Sequence, residues 1–74
     1  MTQTTSIFRV AIFTPLRRLF DYLPPKDIDL DKISIGARVR IPFGKREVIG
    51  ILVEIGPSSK IPLEQLKAIL EIIL

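Results

Sequence analysis

The chain has 74 residues, 47% hydrophobic and 26% charged, with eleven Lys and Arg against eight Asp and Glu for a net charge of +3. This describes one small domain with no Cys for a disulfide framework and neither His nor Cys for the usual zinc ligands, so its stability must come from burying Ile, Leu and Val. No uncharged apolar run approaches the ~20 residues of a membrane span, and the polar opening Met1 to Ser6 lacks the basic and apolar regions of a secretory signal.

Ile7 to Phe13 is rich in β-branched and aromatic residues and ends at Thr14-Pro15, which predicts a strand. Both of its faces are largely apolar, so it is expected to be central or covered on both sides. Leu16 to Leu23 is a short apolar stretch stopped by Pro24-Pro25, which continues neither a ladder nor a helix. Asp27 to Gly36 carries the Asp, Ser and Gly chemistry of an irregular loop. Ala37 to Ile41 alternates strictly, Val39 and Ile41 on one side and Arg38 and Arg40 on the other, as a half-buried strand does. Pro42-Phe-Gly-Lys45 is expected to break that strand into a turn. Val48 to Ile55 is the strongest strand, and Gly50 inside it points to a bulge or a close backbone approach. Gly56-Pro-Ser-Ser59 is a loop, and the end is assigned a short turn at 62–66 followed by a strand. Four to five short strands with Pro and Gly punctuation and one short helical turn define an all-β chain, a small β-barrel or sandwich. The apolar final residues, Ala68 to Leu74, set the expectation of a piece of a longer protein.

Charge is segregated along the chain. Residues 1–20 carry +3, residues 21–31 carry −3, residues 32–50 carry +4 and residues 51–74 carry −1. Two basic stretches therefore flank an acidic one.

Catalytic chemistry has almost no support. Without His or Cys there is no Ser–His or Cys–His nucleophile system. Gly44-Lys45 lacks the upstream glycine and the following Ser or Thr of a phosphate-binding P-loop. Asp27, Asp29 and Asp31 alternate as in a calcium loop but lack its central Gly and terminal Glu. The chain is expected not to be an enzyme by itself.

Two segments carry chemistry. In Leu19-Phe-Asp-Tyr-Leu-Pro-Pro25, Phe20 and Tyr22 read either as core aromatics with Asp21 capping a turn, or as an aromatic platform beside a carboxylate. The second reading needs a turn here, because in an extended strand Asp21 faces away from Phe20 and Tyr22. In Arg38-Val-Arg-Ile-Pro-Phe-Gly-Lys-Arg46, cations surround a Gly-containing tip that either contacts phosphates or blunts an edge hairpin.

Phe20-Asp-Tyr-Leu-Pro24, Gly36-Ala-Arg-Val-Arg-Ile-Pro-Phe-Gly-Lys45, Ile49-Gly-Ile-Leu-Val53 and Leu66-Lys-Ala-Ile-Leu70 occur in this order. In that combination the chain resembles the N-terminal 3′ DNA-end-binding domain of the primosomal protein N′ (PriA) family of bacterial replication-restart helicases. The resemblance covers roughly residues 7–74. It implies an oligonucleotide-binding-fold-like barrel spanning 1–74 that binds the 3′ end of the nascent leading strand at stalled or branched forks, without base specificity. The implied end-binding residues are Phe20, Asp21, Tyr22, Gly44 and Lys67; beside them the charges of Arg38, Arg40 or Lys45 set the expectation of further phosphate contacts. The resemblance further implies a cytoplasmic parent, an ATP-dependent 3′–5′ helicase whose ATP, magnesium and zinc belong to its other domains, with no cofactor and no metal in this one. Its implied partners are DNA with a free 3′ end, single-strand-binding protein and other primosome proteins, with no membrane. A general single-stranded nucleic-acid barrel and a protein-interaction adaptor are the rival expectations.

Overall fold

The computed structural model of the chain describes residues 6–15, 18–26 and 33–73. Five strands run in the order β1 (Ile7–Ile12), β2 (Leu19–Tyr22), β3 (Arg38–Phe43), β4 (Arg46–Gly56) and β5 (Glu71–Ile73), with a 3-10 turn at Leu63–Gln65 before β5. They form one antiparallel sheet with spatial order β2-β1-β4-β3-β5. The expected loop from Asp27 lies outside the described residues as far as residue 32.

The sheet curls so that its edges approach. Leu23 N–H donates to the Lys67 carbonyl at 2.9 Å, and Ile69 N–H donates to the Leu23 carbonyl at 3.0 Å. Leu70 N–H then donates to the Arg40 carbonyl at 2.8 Å. The strand-like segment ahead of β5 therefore links the end of β2 to β3, and the sheet becomes a small, partly closed barrel of the oligonucleotide-binding type. Pairing the edges in this way removes unsatisfied backbone groups that would otherwise invite another chain.

One apolar cluster fills the interior: Phe8, Val10 and Ile12 from β1, Tyr22 from β2, Val39 and Ile41 from β3, Leu52 from β4, and Ile69. Strand β1 hydrogen-bonds to a neighbour on each side, and both Ile7 and Phe8 are fully buried, which accounts for its two apolar faces. The alternation of β3 holds, with Val39 and Ile41 inside and Arg38 exposed.

Two local expectations change. Pro42 does not break β3; it pairs opposite Glu47, and the turn is only Gly44-Lys45, with Gly44 at φ 63°. Phe43 and Arg46 close that two-residue hairpin, so the Pro42 nitrogen points away from β4. On that side β5 pairs only with Arg38 to Arg40, so no strand needs the N–H that proline lacks. Of the two alternatives at Gly50, a bulge or a close approach, the close approach holds and the bulge lies at Val53 instead, because Val10 pairs with Leu52 and Arg9 with Glu54.

Gly50 itself marks a close approach. A Cβ there would sit 2.5 Å from Val10 Cγ1 and 2.9 Å from the Ala11 carbonyl oxygen. Because one of those atoms is backbone, Gly50→Ala must push β1 and β4 apart. The expected cost is about 1–3 kcal/mol, visible in a thermal melt as a drop of roughly 4–8 °C per kcal/mol. An unchanged melt would mean that the strands are not so close.

Candidate nucleic-acid interface

Strand β2 is short and, among the described residues, has β1 on one side only over Leu19–Tyr22. The closing segment reaches it only at Leu23. This leaves a groove along the β2 edge, and an edge presents side chains from both faces of a strand. A cavity of about 590 Å³ occupies it, within the range of roughly 300–1,000 Å³ typical of small-ligand clefts. The expectation of a turn at Asp21 is therefore corrected: Phe20, Asp21 and Tyr22 are extended, and all three line the cavity because it wraps the strand edge.

Three further segments complete the wall. The β3–β4 hairpin brings Pro42, Phe43 and Gly44, the loop after β4 brings Ser58 to Ile61, and the segment around the 3-10 turn brings Gln65 to Lys67. Phe20, Asp21, Tyr22, Gly44 and Lys67 thus meet in one site although they lie far apart in the chain. Arg38, Arg40 and Lys45 are not part of its wall. Arg40 is engaged elsewhere: its guanidinium donates to Glu47 at 2.6 Å and to Glu71 at 3.1 Å. Those hydrogen bonds, to Glu47 first, hold its pKa above the ordinary value.

The two aromatics have different situations. Tyr22 is buried, and its hydroxyl donates to the Pro42 carbonyl at 2.7 Å, which ties the hairpin wall to β2. Burial pushes the Tyr22 phenol up, so it remains a neutral donor. Phe20 is half-buried, with Phe43 edge-on at 5.1 Å between ring centres and the Arg18 guanidinium 4.7 Å from its own. Aromatic pairs and cation–π contacts of this kind fix a ring without enclosing it.

Charge in the cavity is mixed in an informative way. Among the described residues, Arg9, Arg18, Lys60 and Lys67 line it against Asp21 alone. Asp21 lies opposite Arg9 in the β1–β2 register, with Arg9 Nε 3.7 Å from its Oδ1. The Ser59 hydroxyl donates to Asp21 Oδ2 at 2.5 Å. A carboxylate set among four cations is well placed to accept a donor from a ligand whose other groups are anionic.

The sequence reading missed Arg9, Arg18, Ser59 and Lys60. Arg9 left a trace, as the only charged residue in an otherwise apolar strand. Ser59 left none beyond membership of the Gly56–Ser59 loop, and Lys60 left none at all.

A family model described as the 3′ DNA-binding domain (3′BD) matches residues 9–74. The chain belongs to this family. It is also similar to the replication restart protein PriA of Haemophilus influenzae (strain ATCC 51907 / DSM 11121 / KW20 / Rd), with 45% identity over 65 residues. That alignment covers 88% of this chain and 8% of the PriA protein, so the chain spans a small part of its relative's length. Among the described residues the cavity at the β2 edge holds one acid and four cations, with a half-buried aromatic ring beside them.

Proposed function

We propose that this domain binds the terminal nucleotide of a DNA strand with a free 3′ end, without reading its base. The observation that carries this is Asp21, the single carboxylate among the described residues of the lining, set with Arg9, Arg18, Lys60 and Lys67 in one nucleotide-sized cavity. A site for internal phosphates has no use for an acid, whereas a terminal 3′ hydroxyl is a donor that a carboxylate accepts in a charge-assisted bond. In a continuous strand that oxygen is esterified, and its phosphate would be repelled by Asp21. End selection then comes from exclusion as much as from attraction.

The remaining wall divides the other roles. Phe20 is the ring that stacks on the last base, because Tyr22 is in the core with its hydroxyl on Pro42. Such stacking contributes about 1–3 kcal/mol and is nearly indifferent to base identity. Gly44, with no side chain at the hairpin tip, lets backbone approach the nucleotide. Lys67 and its neighbouring cations contact phosphate, and Lys45, next to Gly44, meets the strand as it leaves. Arg38 and Arg40 have a lesser part, since Arg40 is already paired to two glutamates.

In this reading the domain is the N-terminal targeting module of a longer ATP-dependent 3′–5′ helicase that restarts replication in the bacterial cytoplasm. It directs that enzyme to stalled or branched forks, where single-strand-binding protein and primosome proteins assemble. The 45% identity to a replication restart protein supports this assignment.

The decisive measurement compares binding to one oligonucleotide ending in a 3′ hydroxyl, the same ending in a 3′ phosphate, and a circular single strand. The hydroxyl end is expected to bind most tightly. Equal affinity for all three would favour a general single-strand barrel, and no binding at all a protein adaptor. Lys67→Ala should weaken binding and reduce the slope of log affinity against log salt by about 0.7 for a single strand. An unchanged slope would remove Lys67 from the site.

A further inference from the structure

The acid and base at the β2 edge are close but not closed on each other. Arg9 Nε stays 3.7 Å from Asp21 Oδ1, beyond hydrogen-bonding distance. Residues of β4 and of the loop after it engage both groups. Arg9 Nη2 donates to the Ser58 carbonyl at 2.6 Å, and Nη1 is 3.9 Å from Glu54 Oε1. The neighbouring residue, Ser59, donates its hydroxyl to Asp21 Oδ2 at 2.5 Å. The same Ser59 oxygen accepts from Ile61 N–H at 3.1 Å, so its proton is directed at the carboxylate. Gly56 makes this possible, because a Cβ there would collide with the Arg9 guanidinium.

A guanidinium beside a carboxylate ordinarily forms a bidentate fork that occupies both oxygens and cancels the charge. In that closed state Asp21 could neither accept a ligand hydroxyl on Oδ1 nor repel a phosphate. We propose that Ser58 and Ser59 form a spacer that keeps the Arg9–Asp21 pair open, with Ser59 the positioning residue that sets strand-end specificity. Ser59 holds Oδ2, the Ser58 carbonyl holds Arg9, and Oδ1 is left to accept from the terminal hydroxyl. This rests on the end-binding reading above and adds to it the residue that makes Asp21 selective.

The test measures the ratio of affinities for 3′-hydroxyl and 3′-phosphate oligonucleotides at one salt concentration. It uses the wild-type chain, Ser59→Ala, Ser59→Thr and Gly56→Ala. Ser59→Ala is expected to cut the wild-type preference about tenfold, as loss of a hydrogen bond to a charged group does. Ser59→Thr, which keeps the hydroxyl, should restore it. Gly56→Ala, whose Cβ displaces the Arg9 guanidinium from its place beside the Ser58 carbonyl at a position of ordinary φ, should reduce the preference without touching Ser59. A preference that survives Ser59→Ala, or that Thr does not restore, overturns the spacer while leaving end binding intact. Should Ser59→Ala fail to fold, an undiminished preference in Gly56→Ala overturns it instead. No preference in the wild type overturns end selection itself, and the spacer with it.

Discussion

Replacing Asp21 with Ala is expected to bring the affinities for 3′-hydroxyl and 3′-phosphate ends together from opposite directions. The hydroxyl end loses a hydrogen bond to a charged acceptor, about 1.5–3 kcal/mol, or roughly 10- to 150-fold in affinity. The phosphate end gains, because the described lining of the cavity then presents Arg9, Arg18, Lys60 and Lys67 with no acid among them. Two arms moving in opposite senses are hard to produce by damage to the fold. A parallel fall in both would assign Asp21 a structural role, through its contacts with Arg9 and Ser59. Fluorescence anisotropy with labelled oligonucleotides reads both arms. Added salt should weaken phosphate-end binding to the variant more steeply than hydroxyl-end binding, since the former involves more ionic contact.

The largest stability effect is expected at Phe8. Its side chain is fully buried at the centre of the cluster that joins β1, β2, β3 and β4. Phe8→Ala should cost about 3–5 kcal/mol through lost burial and the cavity left behind. A domain of this length has roughly 4–11 kcal/mol in total, so the variant approaches the limit of folding. Urea denaturation should show a much lower midpoint with an unchanged slope. A loss below about 1 kcal/mol would mean that the core is not centred on β1. Because Phe8 pairs opposite Tyr22, the neighbour of Asp21, DNA binding should fall together with stability.

Much of the barrel was legible because strand signals are local. The alternation around Val39 and Ile41, the β-branched run of β4 and the two apolar faces of β1 each state which side is buried. The turn before a final strand was legible from Pro62 and the isoleucines of 69–73. Pro42 misled because a proline in a strand is judged by its type, while its tolerance depends on whether a neighbour needs its N–H. That neighbour, β5, lies about thirty residues away in the chain and stops pairing at Arg40. Asp21 misled for a similar reason. Period-two alternation separates it from Phe20 and Tyr22, and only the knowledge that β2 is an edge reunites them.

The candidate site was half legible. Phe20, Asp21 and Tyr22 stand out as a contiguous polar–aromatic cluster, and Gly44 as a hairpin glycine. Which cations accompany them was not. The basic run from Arg38 to Arg46 drew attention by density, yet the cavity takes its charge from Arg9, Arg18, Lys60 and Lys67, scattered over four segments.

The amino-acid sequence by itself determined the class of the fold, the polarity of each strand and the chemical oddity of one acid in a basic setting. With no Cys and no His, these 74 residues hold no Ser–His or Cys–His pair and no thiolate, which was plain before any coordinates. Only the tertiary structure decided which charges share a cavity with Asp21, and that the Ser58 carbonyl meets Arg9 while the Ser59 hydroxyl meets Asp21. Burial and alternation are written in near neighbours along the chain. Convergence at a sheet edge depends instead on strand order and register, and these bring Arg9, Asp21, Ser59 and Lys67 together.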